Sequence, residues 1–114
     1  MLIVEDSDDT RDVLQELFVM EGLQVLVADS VVDAREVAER QEIDILVADL
    51  RLPDGDGVEV AADLERRNPS LCTLFLSGTT PPPLAAGQRF LRKPARAAAI
   101  LREVHGMLAA RQSA

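Results

Sequence analysis

Four short apolar runs, at residues 2–4, 24–28, 43–48 and 72–76, constrain this chain more than any other feature. They are continuous rather than alternating, so each buries both of its faces, the pattern of a parallel sheet covered by helices on two sides. A fifth, weaker run lies at 89–92. Between the runs lie helical spacings with recognisable ends. Residues 8–21 carry Val13, Leu14, Leu17 and Phe18 on one face, begin at Ser7 or Asp8 as N-cap and stop at Gly22. Residues 31–40 follow Ser30 and Asp33 at capping-box spacing and present Ala34, Val37 and Ala38. Residues 58–67 present Val60, Ala61 and Leu64 and end at Asn68-Pro69. A last helix over about 95–110 uses Ile100, Leu101, Val104 and Leu108. Strand and helix therefore alternate, which predicts an open, doubly wound α/β sheet of five parallel strands.

One crossover departs from the rule. Twelve residues, Ser77 to Gln88, must return the chain to the next parallel strand, about the minimum for such a connection. Pro81, Pro82 and Pro83 occupy its middle, and each lacks an N–H and clashes with a preceding helical turn. Leu84, Ala85 and Ala86 leave room for one turn before Gly87. The expectation is an extended, partly polyproline connection with the fourth helix shortened or absent.

At 114 residues the chain suits one domain, expected over 1–111, with a polar tail at 112–114. With three Phe and no Trp or Tyr, its core must come from Val, Leu, Ile and Ala. A net charge of -8 argues against direct contact with nucleic acid or an anionic membrane, leaving proteins, basic ligands and metal cations as partners. The single cysteine, Cys72, has no disulfide partner and reads as a small core residue. No apolar run approaches a membrane span and no signal segment precedes the first strand, so a cytoplasmic location is expected.

In an open parallel sheet, ligands bind at the carboxyl ends of the strands. Glu5 and Asp6 follow the first run, Asp49 the third, Ser77 the fourth and Lys93 the fifth. Strand-terminal acids taken singly are often helix caps. Three of them converging with a hydroxyl and an ammonium call for a cation, and an all-oxygen donor set points to Mg²⁺. A carboxylate nucleophile, Mg²⁺, a hydroxyl and a lysine are what phosphoryl transfer requires.

The segments "LIVED", "ILVADLRLPDGDG", "LFLSG" and "FLRKP" resemble the receiver domain of bacterial two-component response regulators, and the resemblance covers essentially the whole chain. It implies a flavodoxin-like strand order 2-1-3-4-5, Asp49 as phospho-acceptor, and phosphoryl transfer from the phosphohistidine of a histidine kinase or phosphotransfer protein. It implies Mg²⁺ held by Asp6, Asp49 and the backbone carbonyl of Arg51, with Glu5 acting mostly through water. Glu5 replaces the aspartate commoner there; its extra methylene suits that indirect contact. Ser77 and Lys93 are implied to engage the phosphoryl oxygens, Gly78 and Thr79, with Arg51, to tune the lifetime of the acyl phosphate, and a cis peptide to precede Pro94. Proline is the residue type for which a cis bond is accessible. Phe90 fits either ordinary core or the family's switching aromatic.

Bland readings suit the remaining candidates. Asp54 and Asp56 in "PDGDG" fail the spacing of a calcium loop, since the required glycine would fall on Glu59, and Pro53 to Gly57 reads as a turn into the third helix. His105, the only histidine, reads as a surface or partly packed residue. The overall reading is a phospho-accepting switch whose protein target the sequence does not name, catalysing its own phosphorylation and dephosphorylation. The shortened crossover and the "GQRFLRKP" return also resemble the C-terminal receiver of hybrid sensor histidine kinases, although a stand-alone receiver fits as well. Other readings are weaker. A haloacid-dehalogenase-like phosphotransferase needs an acid two residues after the nucleophile, where Arg51 stands. A phosphorylation-independent pseudo-receiver would lack an acid or the lysine. A nucleotide-binding domain would carry a glycine-rich loop after the first strand.

Overall fold

A computed structural model describes residues 1–113. In chain order the elements are β1 (Leu2–Val4), α1 (Asp8–Met20), β2 (Leu26–Ala28), α2 (Val31–Arg40), β3 (Ile45–Asp49), β4 (Arg51–Leu52), β5 (Gly55–Asp56), α3 (Gly57–Arg67), β6 (Cys72–Ser77), β7 (Gln88–Arg92) and α4 (Ala97–Ser113). Five of the strands form one parallel sheet in the order β2-β1-β3-β6-β7. Counting those strands alone, this is the expected order 2-1-3-4-5.

Two apolar layers sandwich the sheet. Leu2, Val4, Leu46, Ala48 and Phe75 meet Val31 and Ala34 of α2 and Val60, Ala61 and Leu64 of α3. Ile3, Ile45, Val47, Leu74 and Leu76 meet Leu14 and Phe18 of α1 and Ile100, Val104 and Met107 of α4. Adjacent strand residues thus alternate between two buried faces, which is why the runs read as continuous. Phe18 and Phe75 are fully buried, each contributing about 1.5–3 kcal/mol by leaving water.

The helix ends follow from local chemistry. Ser7 caps α1 by accepting from the Thr10 N–H, and Gly22, at φ 82, takes the left-handed conformation just past the helix end. Ser30 caps α2 by accepting from Asp33 N–H at 3.1 Å. Asp33 reaches back one residue beyond that cap, to the Asp29 N–H at 3.2 Å. Asn68 ends α3, where Pro69 prevents continuation.

Several boundaries depart from the sequence reading. β2 and β3 start two residues later than their apolar runs, at Leu26 and Ile45. Just before these strands, the Gln24 carbonyl accepts from the Met1 terminal ammonium, and the Asp44 carbonyl accepts from the Cys72 N–H at 3.1 Å while its side chain pairs with Arg111 and Asn68. α4 starts at Ala97 and runs to Ser113, into the expected tail; residue 114, the last of that tail, lies outside the described residues. Val13 shares helical spacing with Leu14 but is 65% exposed, because the α1 stripe that meets the sheet is centred on Leu14 and Phe18.

Between β6 and β7 there is no helix. Only a turn forms, closed by the Gln88 N–H on the Ala85 carbonyl, while the Gln88 side chain ties the connection to Glu65 of α3. Pro53 and Asp54 turn a two-rung antiparallel hairpin, β4 with β5, which periodicity did not indicate because each strand is only two residues long.

Candidate functional site

Register decides which strand ends meet. Val4 lies beside Ala28 and Ala48, Asp49 beside Leu76, and Ser77 beside Arg92. Glu5, Asp49, Ser77 and Lys93 therefore emerge at one level on the carboxyl rim, where helices α1 and α4 start on one side of the sheet and α2 and α3 on the other.

Carboxylate oxygens of Glu5, Asp6 and Asp49 lie within 4.8 Å of one another. The Lys93 ammonium bridges two of these acids, donating to Glu5 Oε2 at 2.9 Å and to Asp49 Oδ2 at 3.1 Å. Asp6 is exposed, whereas the Glu5 side chain is only 4% exposed and that of Asp49 13%. Burial pushes the Glu5 carboxyl above its usual range, and the ammonium beside it only moderates the rise. Burial alone would lower Lys93, but its bonds to Glu5 and Asp49 more than offset that and hold it above its ordinary value. Its two carboxylate partners thus favour the charged form of the lysine.

Backbone groups fix the acids in place. Glu5 Oε1 accepts from the Ser7 N–H at 3.3 Å, and its main-chain carbonyl accepts from Arg11 Nη1 at 2.9 Å while Arg11 also pairs with Asp8. Asp49 Oδ1 accepts from the Arg51 N–H at 3.2 Å, so the residue opening the β4–β5 hairpin also orients the acid before it.

Ser77 is buried on the same rim. Its hydroxyl and that of Thr79 lie 2.9 Å apart, and Ser77 Oγ also accepts from the Thr79 N–H at 3.3 Å. The Ser77 carbonyl accepts from the Lys93 N–H at 2.9 Å, and Arg92 reaches the Gly78 and Thr79 carbonyls at 3.3 and 3.4 Å. Phe90, in register with Phe75, is half-buried against the layer shared with α2 and α3. The Lys93–Pro94 peptide is cis.

Two residues that matter here escaped the sequence reading. A Cβ built on Gly57 would sit 2.4 Å from the Asp49 carbonyl oxygen, so the start of α3 passes the candidate acid at a distance only glycine allows. Its place at the end of "PDGDG" was the available signal, though it read only as turn chemistry. Asp54 accepts from the Val31 and Val32 N–H groups at 2.8 and 3.0 Å, across 23 and 22 residues of chain, for which no local pattern exists. Asp56 is the N-cap of α3, accepting from the Glu59 N–H at 2.8 Å. His105 is exposed and lies 3.5 Å from Glu21, far from the rim acids in the fold.

Chemically, the rim offers hard oxygen donors, a carboxylate at the end of a central strand, a fixed ammonium and a hydroxyl. This donor set fits a hard divalent cation such as Mg²⁺, which keeps several waters and takes few protein carboxylates. Among the described residues, no helix is long and apolar enough to cross a membrane.

Comparison with known proteins identifies the family and the fold. The response regulator receiver domain family matches residues 1–105. The Escherichia coli transcriptional regulatory protein GlrR is 29% identical over 100 residues, covering 82% of this chain and 22% of that protein. The Pseudomonas aeruginosa response regulator protein PilR is 35% identical over 68 residues, covering 60% of this chain and 15% of that protein. The chain thus spans only part of the length of the curated relatives it matches, 22% of GlrR and 15% of PilR. Among solved structures, the receiver domain from the hybrid histidine kinase CckA superposes with a TM-score of 0.84 at 29% identity, covering 94% of this chain and 96% of that one. A CheY-like receiver domain protein from Methanospirillum hungatei gives a TM-score of 0.91 at 21% identity, covering 98% and 94%, a likeness of fold alone.

Proposed function

We propose, from the premise that this chain belongs to the response regulator receiver domain family, that Asp49 is its phospho-acceptor. The observation that carries this reading is the position of Asp49, at the end of a central strand, held by Lys93 at 3.1 Å and clustered with Glu5 and Asp6. In the transfer, an Asp49 carboxylate oxygen attacks phosphorus and the bond from phosphorus to the donor's imidazole nitrogen breaks. The electron pair leaves with the imidazole, which then takes a proton. The donor is a histidine kinase or a phosphotransfer protein.

Asp6, Asp49 and the Arg51 carbonyl would hold Mg²⁺, with Glu5 acting through water. When bound there, the ion supplies charge neutralisation for the phosphoryl oxygens. Lys93 contributes a second positive charge that the protein itself positions. Its ammonium already spans the two acids, so little reorganisation is needed to meet a phosphoryl group on Asp49.

Ser77 is the switching hydroxyl. To reach a phosphoryl oxygen it must leave Thr79, and that movement reshapes the loop that Arg92 braces through Gly78 and Thr79. Phe90, half-buried against the layer under α2 and α3 and two residues before Arg92, repacks as the loop moves. Phosphorylation thereby raises the population of a second surface conformation. Gly78, Thr79 and Arg51 border the acceptor and set how readily water reaches the acyl phosphate. With no helix between β6 and β7, the output surface consists of the proline connection and β7, and the partner reading it is a protein. The domain works in the cytoplasm, either alone or as the receiver of a hybrid kinase.

The test is incubation of the chain with acetyl phosphate and Mg²⁺, followed by mass spectrometry for an acid-stable, base-labile adduct. A single phosphoryl group is expected on wild type and none on Asp49→Asn. Absence of the adduct from wild type, or equal labelling of the variant, would refute the assignment.

A further inference from the structure

The hairpin that follows Asp49 is small but held at several points. Its two rungs pair Arg51 with Asp56 and Leu52 with Gly55. At its base the Gly57 N–H donates to the Leu50 carbonyl at 3.1 Å, and Asp56 caps α3. At its tip the two carboxylate oxygens of Asp54 each take an N–H of the first turn of α2, beside Gly55, which passes close to Val31 and Glu59. That helix already has its own cap in Ser30, so the Asp54 bonds are additional to ordinary local capping.

Arg51 lies on the strand this tip closes. Its N–H donates to Asp49 Oδ1, and its carbonyl is a ligand in the metal site proposed above. Two rungs orient a strand only weakly, because a hairpin of this length is unstable by itself in water, so the strand depends on its outside contacts: buried Leu52 on the core side and Asp54 at the tip. We propose that Asp54 is a positioning residue for the cation site: by fastening the hairpin tip to the N-terminus of α2, it holds the Arg51 carbonyl and the Asp49 carboxylate in their binding orientation. The inference rests on the metal-binding reading of Proposed function and adds a residue to it that never touches the ion.

Linkage makes the effect reciprocal. If the tether favours the cation-binding arrangement, the cation must in turn favour the tethered state of α2, and by the same factor. Mg²⁺ should therefore slow amide exchange at Val31 and Val32, which are remote from the site in sequence and are not ligands.

The experiment measures Mg²⁺ binding to the chain by isothermal titration calorimetry in wild type, Asp54→Ala, Asp54→Asn and Ser30→Ala, alongside amide exchange with and without Mg²⁺. Groups that orient metal ligands typically cost about 10–100-fold in affinity when removed, and a tether acting through backbone belongs at or below the lower end, about five- to tenfold. Asp54→Ala should lose that much, and Asp54→Asn, which keeps an oxygen acceptor, should lose less. Ser30→Ala removes the local cap of α2 but leaves the hairpin alone, so its Mg²⁺ affinity should match wild type. Protection of Val31 and Val32 by Mg²⁺ should appear in wild type and vanish in Asp54→Ala. Equal losses in Ser30→Ala and Asp54→Ala would reduce Asp54 to an ordinary helix cap and overturn the inference. So would unchanged affinity in Asp54→Ala. Failure of wild type itself to bind Mg²⁺ would instead overturn the metal reading, and this inference with it.

Discussion

Gly57→Ala puts one methyl group against the backbone of the proposed acceptor. The added Cβ would lie 2.4 Å from the Asp49 carbonyl oxygen, 3.1 Å from its carbonyl carbon and 3.4 Å from Ala48 Cβ. Ordinary non-bonded contact begins near about 3.5 Å, so roughly 1 Å of separation must be found between β3 and the start of α3. Both sides are main chain, and the Gly57 N–H is already bonded to the Leu50 carbonyl, so no flexible side chain can absorb the shift. Overpacking of this kind costs about 1–3 kcal/mol, and backbone involvement favours the upper half. Replacing a helical glycine returns up to about 1 kcal/mol. The net expectation is a loss of about 1–2 kcal/mol, or a fall in melting temperature of roughly 4–8 °C. Because the displaced group carries Asp49, phosphorylation should slow further than stability alone explains, by about 10–100-fold, as a misplacement near 1 Å can do. Gly22→Ala is the control. Its φ of 82 makes a side chain there costly by about 1–2 kcal/mol, yet nothing lies within 4 Å and the rim is untouched. Thermal melts paired with acetyl phosphate labelling rates should show similar destabilisation in both variants and slow labelling only in Gly57→Ala. If Gly57→Ala labels at the wild-type rate, or Gly22→Ala labels equally slowly, the argument from close approach is wrong.

Two further outcomes follow from the rim and its tether. Lys93→Ala removes the cation that bridges Glu5 and Asp49, and should leave Mg²⁺ affinity unchanged or raised, because the ammonium occupies oxygens that the ion would use. The same variant should still accept phosphoryl groups while losing the accompanying change in amide chemical shifts, and a full spectral response would count against its switching role. The Asp54 carboxyl is held below its usual value by hydrogen bonds from the Val31 and Val32 amides. Its contribution to stability is therefore complete above the ordinary carboxyl pKa of about 3.9 and is lost as pH falls through the depressed folded value. Asp54→Asn should flatten the acid limb of the stability curve below about pH 4, measured by urea denaturation across pH; an unchanged limb would place the acid sensitivity elsewhere.

Much of the fold was legible because its signals are local. Apolar runs marked the central strands β1, β3 and β6 most clearly, since both of their faces are buried, and the edge strand β7, half-buried along most of its length, gave only a weak run. Ser7, Ser30 and Asn68 marked helix ends because caps act over three or four residues. The proline run excluded a helix by geometry alone. Exposure of Val13 was not legible: spacing shows which residues share a helix face, but the fit against the sheet decides how wide a stripe is covered. The β4–β5 hairpin was missed because two-residue strands carry no period.

The candidate rim residues themselves could be listed in advance, because position after a strand is a property of the chain and a parallel sheet brings those positions to one edge. Their contacts could not. Lys93 meets Glu5 across 88 residues and Asp49 across 44, and the distances depend on strand register and on which strands are neighbours. Asp54 on α2 and Gly57 against Asp49 belong to the same class. Each is a short-range contact that no local sequence pattern encodes, between groups 8 to 88 residues apart, so it exists only after the sheet has assembled and the helices have packed. Residue types, element ends and the rim's membership are thus written in the chain order, whereas pairing and steric limits arise from packing, where less than about 1 Å separates the 3.1 Å bond of Lys93 to Asp49 from the 2.4 Å clash a Cβ on Gly57 would make.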